Sequence, residues 1–470
     1  MIEIDNIFWF RHDLRVLDNI PLHMCSKTNK SAAIYIYDPR IIENENFSSL
    51  HLDFINDSLS ELSDTFKKYN AQLNIFYGES FKVLKKIIDS YNIQNIYSHH
   101  EVRDLNTYRI NWEIESLCKS YCVKWHQFQR NGVVKGLKNR DGWSYLWSKQ
   151  MKESLAPIPN LSNFEKLENS EGIKSFNELG IAQIPYEKKF AGGEQVGKLQ
   201  LEKFLNESGQ TYAKDISSPL KAPASCSRLS SYITYGNLSI KYIVKKTQQK
   251  QMELREKKTR DGWLGSLSAF SSRLRWHCHF IQKLEMQPSL ENTNMVQSFD
   301  KIRTKPNKDF LNRWGNGEVG FPMIDACMRF LKKNGWINFR MRAMLVSFAS
   351  YNLWLDWRLT SKFLSKYFID YEPGIHYNQF QMQSGVTGIN AIRIYNPVKQ
   401  QADHDAKGLF VKRWIPELKN VPNDYLQYPH LMSESLQKQT GCIIGKSYPK
   451  PIVDLKLSSL SARKKIFSIK

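Results

Sequence analysis

Between Trp314 and Leu418, arginines and acidic groups sit inside segments too apolar to be solvated surface. GFPMIDACMRFLKKNGW places Pro322 where a first-turn proline belongs. It repeats apolar residues at Ile324, Met328 and Leu331 and stops near Gly335, a pattern that predicts a helix. The next segment, NFRMRAMLVSFASYNLWLDW, is apolar on nearly every face and is expected to be a core helix, yet it carries Arg340, Arg342 and Asp356. Buried charges need partners or ligands. The first acid downstream that can reach back is Asp370, in YFIDYEPGIHYNQF.

A second group of polar residues lies earlier. In Cys226-Ser227-Arg228-Leu229-Ser230, hydroxyls alternate with larger side chains just before the predicted helix SSYITYGNLSI. Backbone N–H groups and hydroxyls in that position can hold phosphate, although a serine-rich helix cap has the same pattern. His277 and His279 are two apart on a predicted helix, so they do not face each other and no metal site is expected. They read as outward-facing basic side chains or as packing.

These groups need a scaffold, and 470 residues with 41% hydrophobic composition can build two or three domains. Short β-rich runs at 7–10, 32–38, 73–78 and 95–100 alternate with segments of helical period such as FINDSLSELSDTFKKY. That alternation predicts a parallel-sheet α/β domain over 1–130. Residues 131–200 are rich in Asn, Gly, Pro, Ser and Lys and read as an interdomain linker with one helical piece, GWSYLWSKQMKESL. Residues 201–470 are helical in period almost throughout, which predicts an all-α second domain.

The formal net charge of +21 points to a polyanionic partner, above all nucleic acid. The amino terminus lacks a secretory pattern, and no apolar run reaches the ~20 residues that span a bilayer, so a soluble cytoplasmic protein is expected, with no membrane partner. The seven cysteines are scattered without disulfide spacing and read as reduced thiols.

The WGNGEVGFPMIDACMR, GWINFRMRAM, LWLDWR, FIDYEPG and YNPVKQQADHDAKGLFVKRWIPEL stretches resemble the flavin-binding domain of the photolyase/cryptochrome family. The amino-terminal FWFRHDLRVLDN and the central CSRLSSYITYGNLS match the same family in the same order. The resemblance implies an antenna domain over 1–130, an all-α FAD-binding domain over 201–470, and FAD as cofactor. It also implies a second, antenna chromophore, which nothing in residues 1–130 identifies. An iron-sulfur cluster, held in some relatives by closely spaced cysteines near the carboxyl end, is not expected, because that region offers only Cys442.

By the same resemblance, Tyr212, Cys226, Ser227, Arg228, Leu229 and Ser230 belong to the diphosphate-binding segment, with Cys226 where Thr is usual. Arg342 and Asp370 match the pair that contacts the isoalloxazine ring, and Asn338, Tyr371 and Glu372 join the cofactor-binding set. A buried structural ion pair is the competing reading of Arg342 and Asp370, outweighed because both fall in matching motifs at the expected separation. His376 falls where relatives place Asn, Asp or Cys beside flavin N5, and a local insertion would put Asn378 there instead. Relatives photoreduce the flavin through three tryptophans. Here Trp357 matches the middle one, Phe380 takes the ring-proximal place, and the outer place falls near Lys305. The route must then run through Trp354, Trp336 or Tyr377, or depend on an external reductant.

The implied partner is DNA carrying UV photoproducts, bound by a monomer. Trp276 matches an aromatic face of the lesion pocket, and Arg273, His277, Phe339, Arg340, Met382 and Gln400 complete the expected DNA-facing set. The pocket departs from the dimer-splitting pattern. Arg273 replaces a usual Glu, Phe339 an Asn, Ala343 a Met and Met382 a Trp. The leading expectation is light-driven repair of pyrimidine photoproducts by electron transfer from reduced FAD. A cryptochrome-like photoreceptor without repair is the alternative, set against a chain that runs only about 50 residues past RWIPEL. A light-independent flavoprotein is a third possibility.

Overall fold

A computed structural model describes residues 3–27, 30–258, 260–388 and 392–469. Five parallel strands, β1 (Asn6–Phe10), β2 (Ser31–Tyr37), β3 (Leu73–Tyr77), β4 (Asn95–His99) and β5 (Lys124–Phe128), form one sheet in the order β3-β2-β1-β4-β5. β1 and β2 are buried along their whole length, as strands covered on both faces must be. Alternate residues serve different cores. Ile7, Trp9, Ile34 and Ile36 pack under helices Ser80–Ser90 and Leu105–Ser120, whereas Phe8, Phe10, Tyr35 and Tyr37 join the core that continues into the helical half. Strand order reverses between β1 and β4, so their carboxyl ends open where α/β sheets usually present a site.

The edge strand β5, KWHQF, is not evident from sequence, because its exposed and half-buried positions carry polar side chains. The segment that follows contains helix Trp143–Lys152 and then wraps the sheet domain. Glu165 N–H donates to Ser31 O, Glu171 N–H to Ile75 O, and Leu167 N–H to the Asn74 side chain. Helix Glu194–Asn206 begins inside that stretch, and from there on the described chain is helical apart from loops and one isolated bridge.

Two expected helices are shorter than their sequence pattern. SSYITYGNLSI is helical only over Ser230–Thr234. Gly236 then takes φ +70°, and a Cβ there would lie 2.2 Å from the His12 carbonyl oxygen, so the halves approach backbone to backbone. The long apolar segment after Trp336 is also not one helix. It forms helix Phe339–Ser347, a single π-type turn over Phe348–Asn352, and a break at Trp354 with φ +55°. Arg303 Nε takes the Ser350 carbonyl at 2.9 Å, supplying a partner to a carbonyl at the end of the helix. Asp356 then caps helix Trp357–Ser365 by accepting from Arg358 N–H at 2.8 Å, so its charge serves the restart of the chain. Pro322–Asn334 is helical and ends at Gly335 with φ +67°, as its pattern predicts.

Candidate functional site

Helix Phe339–Ser347 turns Arg342 toward the loop between helices Trp357–Ser365 and Pro373–Ser384. That loop is pinned by Ile369 N–H donating to Gly335 O at 2.9 Å. Arg342 Nη1 and Nη2 then donate in parallel to the two Asp370 oxygens at 3.0 and 2.9 Å, while Nε holds the Ile337 carbonyl at 2.7 Å. Such a fork fixes a guanidinium in plane as well as in place. Its carbon lies 4.2 Å from the centre of the Phe368 ring. Burial works against the charged form of Asp370, but Arg342 and a hydrogen bond from Ser230 outweigh it and hold the carboxyl below its ordinary value. The Asp370 side chain is 5% exposed and that of Arg342 22%, so the pair is closed on the acid side and open on the arginine side.

Ser230 brings the hydroxyl-rich segment to the same place, and Thr234 Oγ1 reaches the Asp370 carbonyl at 3.5 Å. Arg228 adopts φ +56° and lays its guanidinium between Phe190 at 4.1 Å and Trp336 at 3.8 Å. Burial pushes it down to about 9, so it stays a cation at neutral pH, and it feels the charges of both Asp370 and Arg342. Burial pushes the Cys226 thiol up to about 12, which leaves a neutral, weak donor where a hydroxyl would be stronger. Leu229 is packed in the core, and the Ser227 carbonyl is held by Gln200. Tyr212 is buried, and its phenol hydrogen-bonds Arg273, so Arg273 sits beside the expected phosphate contact.

Several buried polar atoms near the fork have no protein partner: both ring nitrogens of His277, Asn338 Oδ1 and Glu372 Oε1. Orphaned buried polar atoms are uncommon in a folded chain and point to a ligand or bound solvent. Together with the Arg342 fork, the Arg228 cation and the hydroxyls of Ser227 and Ser230, they offer donors, acceptors and positive charge to a polar molecule with an anionic part.

His376 is enclosed by Phe368, Tyr371, Tyr377 and Phe380, with the Phe380 ring 4.4 Å away. Burial pushes it down to about 3, so it is neutral, and its Nε2 faces the Ser361 carbonyl at 3.0 Å. A nitrogen facing a carbonyl must carry the proton, which makes Nδ1 the acceptor. Asn378 gives both amide protons to Phe280 O and Gly374 O, and its Oδ1 has no partner. The Tyr371 and Tyr377 hydroxyls meet at 2.9 Å. Trp357 is fully buried, donates to Asn294 at 2.7 Å and lies 6.3 Å from Tyr377. Trp354 lies between Arg303 at 4.5 Å and Lys465 at 4.6 Å.

The expected DNA-facing residues do not share one environment. Trp276 is 47% exposed and Phe339 51%, while Arg340 and Met382 are half-buried. His277 is corrected: its ring nitrogens are buried, and desolvation with Arg130 nearby pushes it down to about 3, so it is not a DNA-facing base. His279 is half-buried, takes a hydrogen bond from Arg140 at 2.9 Å, and is likewise pushed down, to about 4. Gln400 is also largely buried, with Oε1 unpartnered. Arg103 and Arg130, which touch the loop or its neighbours, carry no motif of their own, and Thr234 lies in the matched CSRLSSYITYGNLS stretch but outside its expected phosphate contacts. Their position just past strand ends or beside a cap was the available signal.

Among the described residues, no group of three or more His, Cys, Asp and Glu is placed to hold a metal, and no helix is long and apolar enough to cross a membrane. Among the described residues no two cysteines are joined in a disulfide, and only Cys122 is exposed.

A family model described as the FAD binding domain of DNA photolyase matches residues 270–467, and one described as DNA photolyase matches residues 6–142. The deoxyribodipyrimidine photo-lyase of Alkalihalophilus pseudofirmus is 26% identical over 95% of this chain and 94% of its own. The cryptochrome DASH of Synechocystis sp. is 27% identical, over 98% and 97%. A solved Synechocystis cryptochrome structure superimposes with a TM-score of 0.87 at 23% identity, covering 99% of this chain and 100% of the other, a likeness of fold.

Proposed function

The chain belongs to the photolyase/cryptochrome family, and from that membership we propose that it is a light-dependent DNA repair flavoprotein that splits pyrimidine photoproducts. The observation that carries the proposal is the Arg342–Asp370 fork, closed behind by the core and open on the arginine side. The unpartnered atoms around it suit FAD, which, reduced and excited by light, supplies one electron to the lesion and takes it back after the bond breaks.

The remaining work belongs to the protein. Arg342 places a fixed positive charge against the negative charge of a reduced ring, and Asp370 keeps its fork from turning. Ser227, Ser230, Cys226 and Tyr212 hold the diphosphate, with Arg228 as the nearby cation. Asn338, Tyr371 and Glu372 line the remainder of the cofactor. His376, rather than Asn378, takes the N5 side. It lies close enough to Arg342 and Asp370 to feel both charges, and its unprotonated Nδ1 can receive an N–H, whereas the Asn378 amide protons are already used.

The +21 charge draws DNA, and the exposed faces of Trp276 and Phe339 replace stacking lost when the damaged bases leave the helix. Arg340 and Met382, both half-buried, are assigned to the same DNA-binding role. Phe380 cannot relay an electron as a tryptophan does, so Tyr377, whose ring lies 6.3 Å from Trp357, would carry the electron onward from Trp357 with an external reductant refilling the tryptophan, or an external reductant would act directly. A second chromophore is proposed at the carboxyl ends of β1 and β2, in a cavity of about 30 Å³ lined by Trp9, Arg11, His12, Tyr35 and Glu101, whose side chains must move to admit an aromatic ring. The division into 1–130, 131–200 and 201–470 is part of the same proposal.

Likeness to a cryptochrome DASH of comparable identity favours a second reading, a blue-light photoreceptor without repair. Illuminating the purified, reduced protein with oligonucleotides carrying defined pyrimidine photoproducts separates the two. Restored pyrimidines support the enzyme. No restoration of any lesion by a protein that holds reduced FAD leaves the photoreceptor.

A further inference from the structure

We propose that Arg103 is a positioning residue: from the sheet domain it fixes the loop that carries Asp370, and so sets where the Arg342 fork stands. This rests on reading that fork as the flavin site.

Arg103 leaves the carboxyl end of β4, at the point where strand order reverses and an α/β sheet usually offers its side chains to a ligand. It turns instead into the helical half. Nη1 donates to Glu372 Oε2 at 3.2 Å and Nη2 to the Tyr371 carbonyl at 3.1 Å. Both side chains are buried. One arm thus holds a carboxylate two residues past Asp370, and the other holds the backbone between them. A rigid guanidinium bridging those two groups determines the path of the peptide that presents Asp370.

The opposite side of the same loop is reached by a second arginine from the sheet side. Arg130 donates to the Thr234 carbonyl at 2.9 Å, and the Thr234 hydroxyl reaches the Asp370 carbonyl. Arg130 is itself aimed by Glu101 at 3.2 Å. Burial opposes ionisation of Glu101, but His12, Arg11 and Arg130 hold it well below the usual carboxylate range. The loop therefore rests on two cations fixed in the neighbouring domain.

A simple stabilising ion pair is a poorer description. Glu372 satisfies only one oxygen on Arg103 and keeps Oε1 unpartnered, and burial pushes its carboxyl up despite Arg103. A pair kept for stability alone gains from full satisfaction, and an apolar replacement often serves as well.

The test compares Arg103→Lys, Arg103→Met, Glu372→Gln and the paired change Arg103→Met with Glu372→Gln in the FAD-loaded full chain. Three quantities are read: unfolding midpoint, FAD dissociation constant and flavin midpoint potential. Arg103→Met is expected to weaken FAD by about tenfold or more, the scale of one charged hydrogen bond, and to shift the potential. Arg103→Lys restores the charge but not both arms, so the potential stays shifted. The paired change leaves no unpaired buried charge and recovers the unfolding midpoint, while FAD affinity and potential stay further from wild type than in Glu372→Gln alone, which measures the direct loss of that cofactor-lining carboxylate. Recovery of the midpoint in the paired variant, with affinity and potential no further from wild type than in Glu372→Gln alone, overturns the proposal, because the pair is then only structural. Wild-type affinity and potential in Arg103→Met overturn it equally, with the flavin reading intact. A folded wild-type protein that takes up no FAD overturns the flavin reading itself.

Discussion

Asparagine at position 370 keeps the shape of the side chain and removes its charge. In the wild-type protein the carboxylate takes both arms of Arg342, at 3.0 and 2.9 Å. The substituted amide could accept one arm and would turn its own protons toward the other. Breaking a wholly buried pair from one side costs about 3–5 kcal/mol. Water reaches the partly open Arg342 and screens part of that, so a loss of about 2–3 kcal/mol is expected for Asp370→Asn. FAD affinity should fall at least about tenfold with it, since the fork no longer stands in one plane. Acid dependence gives an independent check. Burial disfavours the Asp370 carboxylate, but Arg342 and Ser230 more than offset it, so its folded pKa lies below the unfolded one. The unfolded chain therefore takes up the proton first as pH falls. The stability that the carboxylate contributes is present above about pH 4 and is lost as pH drops through the folded pKa. Asp370→Asn should lack that acid limb. Urea unfolding at several pH values with FAD titration at pH 7 measures all three effects. A variant that matches the wild type in stability, acid limb and affinity refutes the view that this pair organises the site.

Trp276→Ala should weaken binding of lesion-bearing DNA about tenfold or more, as loss of a base-stacking face does, and leave the unfolding midpoint unchanged because the ring is half-exposed; a binding titration beside a melt decides it. Gly236→Ala should cost at least about 2 kcal/mol, from a left-handed backbone and a Cβ driven into the His12 carbonyl, and should lower FAD retention in gel filtration. Glu291 is pushed up from 4.5 to about 7 by burial and by Asp104. The folded protein then holds this proton where the unfolded chain has lost it, so its contribution falls as pH rises from about 4.5 to 7. Glu291→Gln, which keeps an acceptor for Leu105 N–H, should remove that decline in urea unfolding followed across the range.

The sheet half was readable because doubly covered strands such as FWF and AIYIY are almost continuously apolar, while the edge strand KWHQF resembles a loop. The Arg342–Asp370 contact was readable from a general rule, since two charges in apolar segments on the same domain had to meet or find ligands. The π-type turn after Ser347 and the break at Trp354 were not, because Arg303, which partners the Ser350 carbonyl there, comes from a distant part of the chain. The burial of His277 is hidden for the same reason. A histidine next to an exposed tryptophan looks accessible, yet both its ring nitrogens are buried, within reach of the charges of Arg130 and Asp370. Arg103 could not have been paired from sequence, as Glu372 lies 269 positions away and the contact exists only once both halves have docked.

The central claim is that residues 342 and 370 hold a flavin. Flavin content decides it most directly, measured on the folded wild-type chain after saturation with FAD and removal of the excess, beside Asp370→Asn treated in the same way. Stoichiometric FAD retained by the wild type, whose spectrum changes under blue light with reductant, and a marked loss in the variant are the predicted results. A well-folded wild type that retains none, or a variant that retains as much, contradicts the account.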